Sequence, residues 1–232
     1  VPQQPDLSWA DSVGSRQMPG NHVILSANSF GAVADSTVLS TEAIQKAIDE
    51  CSAAGGGQVV LRSGRTYYSS SIIIKPYVDL HLERGSILKA HSDLTTYFHP
   101  NEGQKDNGVK IEGTPVTLKP SYAFIYAKDA DHMAITGDGV IDGNAFAFVK
   151  QVSQYYVTGD FYPRPTVIYV EHCNHINFTN VIIRNVSFWT LHTAGCDDVL
   201  IDRIRILNDL NVANSDGIDP DHSTNVRIIG CH

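Results

Sequence analysis

Four segments in the second half of the chain stack without a gap: IYAKDADHMAI from Ile125, IYVEHCNHINF from Ile168, LHTAGCDDVLI from Leu191 and IDPDHSTNVRI from Ile218. Ile125, Ile168, Leu191 and Ile218 share one column. Met133, Ile176, Val199 and Val226 share a second, and Ile135, Phe178, Ile201 and Ile228 a third. The intervals are 43, 23 and 27 residues; the first is read as one turn carrying an insertion over roughly residues 145 to 165. Repeats of this length made of short β-rich runs specify a solenoid, because each coil can bury its apolar face only against the next. A leucine-rich repeat would need its leucine and asparagine signature and a helical return, and this chain has neither. The expected fold is therefore all-β, a right-handed parallel β-helix.

The first half supplies a cap. In STEAIQKAIDECSAAGGG, Ala43, Ile44, Ala47, Ile48, Cys51 and Ala54 recur at helical spacing, which predicts an α-helix near residues 41–54. Ser40 or Thr41 can cap its start, Glu42 suits the positive end of the dipole, and Gly55 to Gly57 stop it. Such a helix is expected to cover the apolar face and the unpaired strand edge of the first coil. The organisation expected is an N-terminal extension over residues 1–27 and one β-helix domain over 28–232.

The columns also sort side chains by direction. Alternation from the inward isoleucine column puts Tyr126, Tyr169, His192 and Asp219 in one outward column. Asp216 shares a column with Trp189, Thr166 and Ala123 at the turn leading into the strand. Strict alternation points Asp216 inward, and a bend at Gly217 would turn it out. Three aspartates, Asp216, Asp219 and Asp221, fall within six positions. On residue types alone that stretch is an acidic turn, a carboxylate site or a metal loop. A calcium loop would need a bidentate glutamate further along, and none follows at that spacing.

The formal charge of −8 argues against nucleic acid as a partner. No stretch approaches the ~20 apolar residues that a membrane span needs. Cys51, Cys173, Cys196 and Cys231 are too widely spaced for a zinc site. Cys173 and Cys196 align on adjacent coils, a placement open to a disulfide or to stacked thiols, with thiols preferred. The opening VPQQPDLSWADSVG has neither a basic nor an apolar leader region, so any signal peptide is expected to have been removed.

Two stretches resemble a known family. FGAVADSTVLSTEAIQKAIDECSAAGGGQVVLRSG is similar to the opening of pectin-active β-helix enzymes. The succession Arg164-Pro165, Trp189, Cys196 and Asn214-Ser-Asp216-Gly-Ile-Asp219 resembles the polygalacturonases, glycoside hydrolase family 28. The likeness covers about residues 28 to 232. It implies a secreted or periplasmic hydrolase that cleaves pectic galacturonan with inversion and uses no metal or organic cofactor. It also implies that Asp216 belongs to a catalytic carboxylate trio and that Asn214 contacts substrate. Asp219 and His192, in the outward column, are further candidate substrate-binding residues. The family pattern continues with a paired Asp-Asp one coil later, then Gly-His-Gly and Arg-Ile-Lys, and none of these follows Asp219 here. Asp197-Asp198 and Arg203 to Arg205 come too early to stand in for them. The chain is thus expected to be truncated on its C-terminal side, with the rest of the protein as its partner. Two rival readings are a calcium-dependent β-helix lyase acting on uronates and a non-catalytic carbohydrate-binding β-helix.

Overall fold

The computed structural model describes residues 6–14, 23–35, 37–100, 108–109, 117–118, 120–152, 155–157 and 164–232. The chain winds into a right-handed parallel β-helix with three faces. Face 1 has seven strands: Val23–Ser26, Gly57–Leu61, Val78–Leu82, Ala134–Gly137, Asn174–Thr179, Asp197–Asp202 and Thr224–Ile229. Face 2 has five, from Thr66–Ser69 to Arg205–Leu207, and face 3 has five, from Ile72–Ile74 to Ile218–Asp221. Within the three faces every pairing is parallel.

The register reproduces the sequence columns. Ile125 pairs with Ile168, Ile168 with Leu191, and Leu191 with Ile218. Ile135 pairs with Phe178, Phe178 with Ile201, and Ile201 with Ile228. Ile125, Ile168, Leu191, Met133, Ile176, Val199, Ile135, Phe178 and Ile201 are all fully buried. The same column extends one coil further back than the repeat shows, because Ile72 pairs with Ile125 across a 53-residue interval. Val23–Ser26 already pairs with Gly57–Leu61, so the solenoid starts a few residues ahead of the expected boundary at residue 28. Of the expected insertion around residues 145 to 165, the described part holds an antiparallel hairpin, Lys150–Val152 with Tyr155–Val157.

The corners are made by residues in the left-handed region. Asp129, His172, Gly195 and His222 take φ of 50°, 53°, 61° and 48° at one corner. His132, His175, Asp198 and Asn225 take 59°, 56°, 53° and 48° at the next. Asp and Asn tolerate this conformation best among residues with a side chain, and glycine tolerates it without cost. The Asp197-Asp198 pair therefore stands at a corner, as its place in the repeat requires.

The cap is an α-helix over Thr41–Ala53, with Ile44, Ala47, Ile48 and Cys51 buried against the first coils. Ser40 precedes it but does not cap it through its side chain; its hydroxyl exchanges two hydrogen bonds with the backbone of Val33. Gln45 closes the strand edge. Its amide oxygen accepts from Ile73 N at 2.8 Å and its amide nitrogen donates to Ile73 O at 2.9 Å, as a neighbouring strand would. At Gly57 (φ 150°) a Cβ would lie 2.1 Å from Val23 O, so only glycine fits where the helix hands over to the first coils.

Candidate active site

Face 3 places the acidic stretch. Thr190 N donates to Asp216 O at 2.9 Å and Leu191 N donates to Gly217 O at 3.2 Å, so the ladder is engaged before the strand proper begins. The chain bends at Gly217, and Asp216 is exposed. The bend thus overrides strict alternation, and Ile218, two residues on, packs against the core.

The approach to Asp216 is held from below. Arg164 is almost fully buried, and its guanidinium donates to Ser187 O at 2.9 Å, Ala213 O at 2.6 Å and Asn214 Oδ1 at 3.0 Å. It also stacks over Phe188, 4.9 Å from the ring centre. Asn208 Nδ2 donates to Ser215 O at 3.1 Å and to Thr190 Oγ1 at 2.9 Å. Asn214, at φ 58°, commits its carbonyl oxygen to Arg164, so this oxygen holds the loop. A cavity of about 520 Å³ opens on this loop, lined by Leu210, Val212, Ala213, Asn214, Ser215 and Asp216. A cavity of about 580 Å³ at the capping helix, lined by Gln45, Lys46, Ile73 and Phe98 among others, lies at the far end of the face.

Asp219 sits in the outward column next to His192, its register partner. It is half-buried, and Oδ2 has no hydrogen-bond partner among the described residues. Burial, reinforced by the charge of Asp216, pushes its carboxyl up to about 6. An acid in this state keeps its proton well above the usual carboxylate range.

His192 is outward of the core yet only 1% exposed. It touches Trp189 edge-on at 4.9 Å and Tyr169 at 5.0 Å between ring centres. Its Nε2 lies 3.5 Å from Asp221 Oδ2, while its Nδ1 is buried with no hydrogen-bond partner among the described residues. Burial lowers the imidazole pKa against the opposing pull of Asp221. Asp221 also engages His222 Nδ1, so it is clamped between two imidazoles.

Behind them runs a ladder of rings, buried except at partly exposed Phe98. Phe98 stacks on Tyr126 at 4.7 Å, Tyr126 on Tyr169 at 5.9 Å, and Tyr169 meets His192. Both tyrosine hydroxyls donate to Glu171, which is 1% exposed, with Lys128 Nζ 3.7 Å away. Burial, with Glu171 adding to it, raises both tyrosine pKa values. The tyrosines are therefore covered and do not offer faces to a ligand. Cys173 and Cys196 are free buried thiols, and burial pushes Cys196 up to about 11.

The sequence singles out Asp216, Asn214, Asp219 and His192 as candidates; the buried bracing by Arg164 and Glu171 is not among its expectations. Arg-Pro at the start of the strand was visible; that its charge is buried was not.

These features define the class as a parallel β-helix protein, with Asp216 exposed and Asp219 half-buried at one end of a face, on a loop braced by Arg164 and Asn208. Comparison with known proteins makes this specific: residues 92–232 match the family described as glycosyl hydrolases family 28, and the chain belongs to that family. It is 28% identical to a probable polygalacturonase of Vitis vinifera over 211 residues, 88% of this chain and 40% of that protein. It is 25% identical to an endo-polygalacturonase of Pectobacterium carotovorum subsp. carotovorum, over 94% of this chain and 52% of that protein. The chain thus spans about half the length of the curated relatives it matches. Among solved structures, a hyperthermoactive exopolygalacturonase from Thermotoga maritima superposes with a TM-score of 0.75 at 22% identity, over 96% of this chain and 55% of that one.

Proposed function

We propose that the chain serves the inverting hydrolysis of galacturonan-type pectic polysaccharide, with Asp216 as one of the carboxylates that act at the bond. The observation that carries this reading is the pairing of an exposed Asp216 with a half-buried, proton-retaining Asp219, in a chain of family 28. Inversion requires a water to attack opposite the leaving oxygen, between carboxyl groups ~6.5–9.5 Å apart. Coils stacked ~4.8 Å apart bring acids on neighbouring turns toward that separation.

In this scheme Asp216, turned out at the bend, accepts a proton from the attacking water, while a protonated carboxyl of the same trio gives its proton to the leaving oxygen. Asp219 keeps its proton under mildly acidic conditions. It therefore adds no second negative charge beside Asp216, where an anionic galacturonate must also be accommodated. Arg164 and Asn214 fix the loop that carries Asp216; the amide nitrogen of Asn214 is the part of that residue available to a sugar hydroxyl. His192 orients Asp221 from below. A polymer substrate is met outside the cytoplasm, which supports a secreted or periplasmic location. No helix among the described residues is long and apolar enough to cross a membrane.

The test is cleavage of polygalacturonic acid by the whole protein in which this chain occurs, following new reducing ends, their anomeric configuration by NMR, and ultraviolet absorbance. Hydrolysis with inversion is expected. Unsaturated, absorbing ends would instead establish a lyase, and binding without cleavage a carbohydrate-binding module. Asp216→Asn is expected to lower turnover about 10²–10⁴-fold with binding largely kept; undiminished turnover would remove Asp216 from the mechanism.

A further inference from the structure

Trp189 stands one coil before Asp216, in the same column. The ladder bond from Thr190 N to Asp216 O and the pairing of Leu191 with Ile218 fix that register. Neighbouring strands lie ~4.8 Å apart, so the two backbone positions are neighbours on adjacent coils. Trp189 is partly exposed, whereas the other aromatic rings beside it, Phe188, Tyr169 and His192, are buried. It is absent from both apolar clusters that the buried residues form. Part of the indole thus remains accessible to solvent at this point.

The ring is also held. Phe188 stacks on the indole at 5.2 Å with 14° between planes, and Phe188 is itself backed by the Arg164 guanidinium. His192 meets the indole edge-on, at 82° between planes. The backbone is pinned by Val167 N donating to Trp189 O at 3.0 Å. Contacts on two sides fix the plane of the indole before any ligand arrives, which is the preorganisation that makes an aromatic contact effective in binding.

We propose that Trp189 is a sugar-stacking platform of the subsite adjoining Asp216, taking one galacturonate ring of the polymer. This inference rests on the galacturonan reading above. A galacturonate ring presents an apolar patch of C–H groups, those on C3 and C5, on the face opposite its axial C4 oxygen, and that patch complements an indole face. The contact suits this chain in particular. The surroundings of Asp216 are acidic and the net charge is −8, so charge repels a uronate polymer. An uncharged aromatic surface holds the ring against that repulsion. It also fixes the position of the glycosidic bond relative to the Asp216 carboxylate.

The chain has two tryptophans, Trp9 and Trp189, so Trp9→Phe leaves Trp189 as the sole indole reporter. In a chain carrying Trp9→Phe and Asp216→Asn, trigalacturonate is titrated by calorimetry and by tryptophan emission in parallel. The expected result is an emission change that saturates at the calorimetric midpoint. Trp189→Ala should weaken binding about tenfold and Trp189→Phe should restore most of it. If Trp189→Ala fails to fold, the emission titration of the native indole still decides. Calorimetric binding with unchanged emission, or with Trp189→Ala within twofold of the parent, overturns the platform and leaves the galacturonan reading intact. No calorimetric binding overturns that reading and the platform with it.

Discussion

Two ladders of rings run along this solenoid, and they differ in what surrounds them. On face 3, Phe98, Tyr126, Tyr169 and His192 lead to Asp219 on the next coil. At the corner before face 1, Tyr77 stacks on His132 at 4.9 Å and His132 on His175 at 4.9 Å; His175 then pairs with Asp198 at 2.7 Å. The geometric cause is common, since coil stacking sets a repeat of ~4.8 Å that suits stacked rings. The environments are opposite. Tyr126, Tyr169, His192 and Glu171 are buried and the terminal aspartate has an unpartnered oxygen, whereas His175 and Asp198 are 45% and 24% exposed and paired. An imidazole and a carboxylate do not make a site by being adjacent. Burial with an unpartnered carboxylate oxygen is what shifts the chemistry of Asp219, whereas the Asp198 carboxylate is partly exposed and paired with His175.

The sharpest way to break this comparison is at the acid that both tyrosines of the face 3 ladder use. Glu171→Leu removes the acceptor for the Tyr126 and Tyr169 hydroxyls and leaves two buried donors unpaired. At about 1–3 kcal/mol per orphaned group, partly relaxed, a loss of about 2–3 kcal/mol is expected in denaturant unfolding. A loss below about 0.5 kcal/mol would mean that the ladder is wetter than its burial implies.

What the sequence revealed, and what it hid, follows the same division. Ile125, Ile168, Leu191 and Ile218 aligned without gaps because every coil must present one apolar residue at that point for the next coil to bury. Ile72 belongs to the same column but went unseen, since the interval to Ile125 is twice a normal coil. The outward direction of Tyr126, Tyr169 and His192 was legible from alternation. Their burial was not, because a solenoid's outer face is covered by segments with no repeat to align. The exposure of Asp216 turned on a backbone bend at Gly217 that alternation alone would place the other way. Arg164 hid for a different reason: its partners, Ser187 O, Ala213 O and Asn214 Oδ1, lie 23 to 50 residues away on other coils.

The second prediction reverses sign. Asp219 binds its proton more tightly folded (about 6) than at its ordinary value of 3.8. Between these values the native state holds more protons than the unfolded chain, so this residue's contribution to stability falls as pH rises from about 4 to 6. Asp219→Asn removes the ionisable group. At neutral pH it is expected to stabilise the fold by about 1–2 kcal/mol, a value discounted for the residue's partial exposure, and to flatten the stability profile over that window. Thermal unfolding of both chains across that range reads the difference. A parallel pair of curves would show that Asp219 ionises in the fold as it does in water.

The smallest effect belongs to the corner. Asp198→Asn removes the carboxylate from a contact with His175 whose members are 24% and 45% exposed, and both side chains remain free to bind water afterwards. Exposed pairs contribute about 0–1 kcal/mol and are screened by salt, so the expected loss is below about 0.5 kcal/mol and vanishes in 1 M NaCl. Asparagine also accepts the left-handed backbone that Asp198 adopts at φ 53°, so the corner itself is not strained by the change. The measurement is a denaturant midpoint at low and high salt. A loss matching that of Glu171→Leu would show that the corner ladder is as tightly built as the buried one, and that exposure does not separate them.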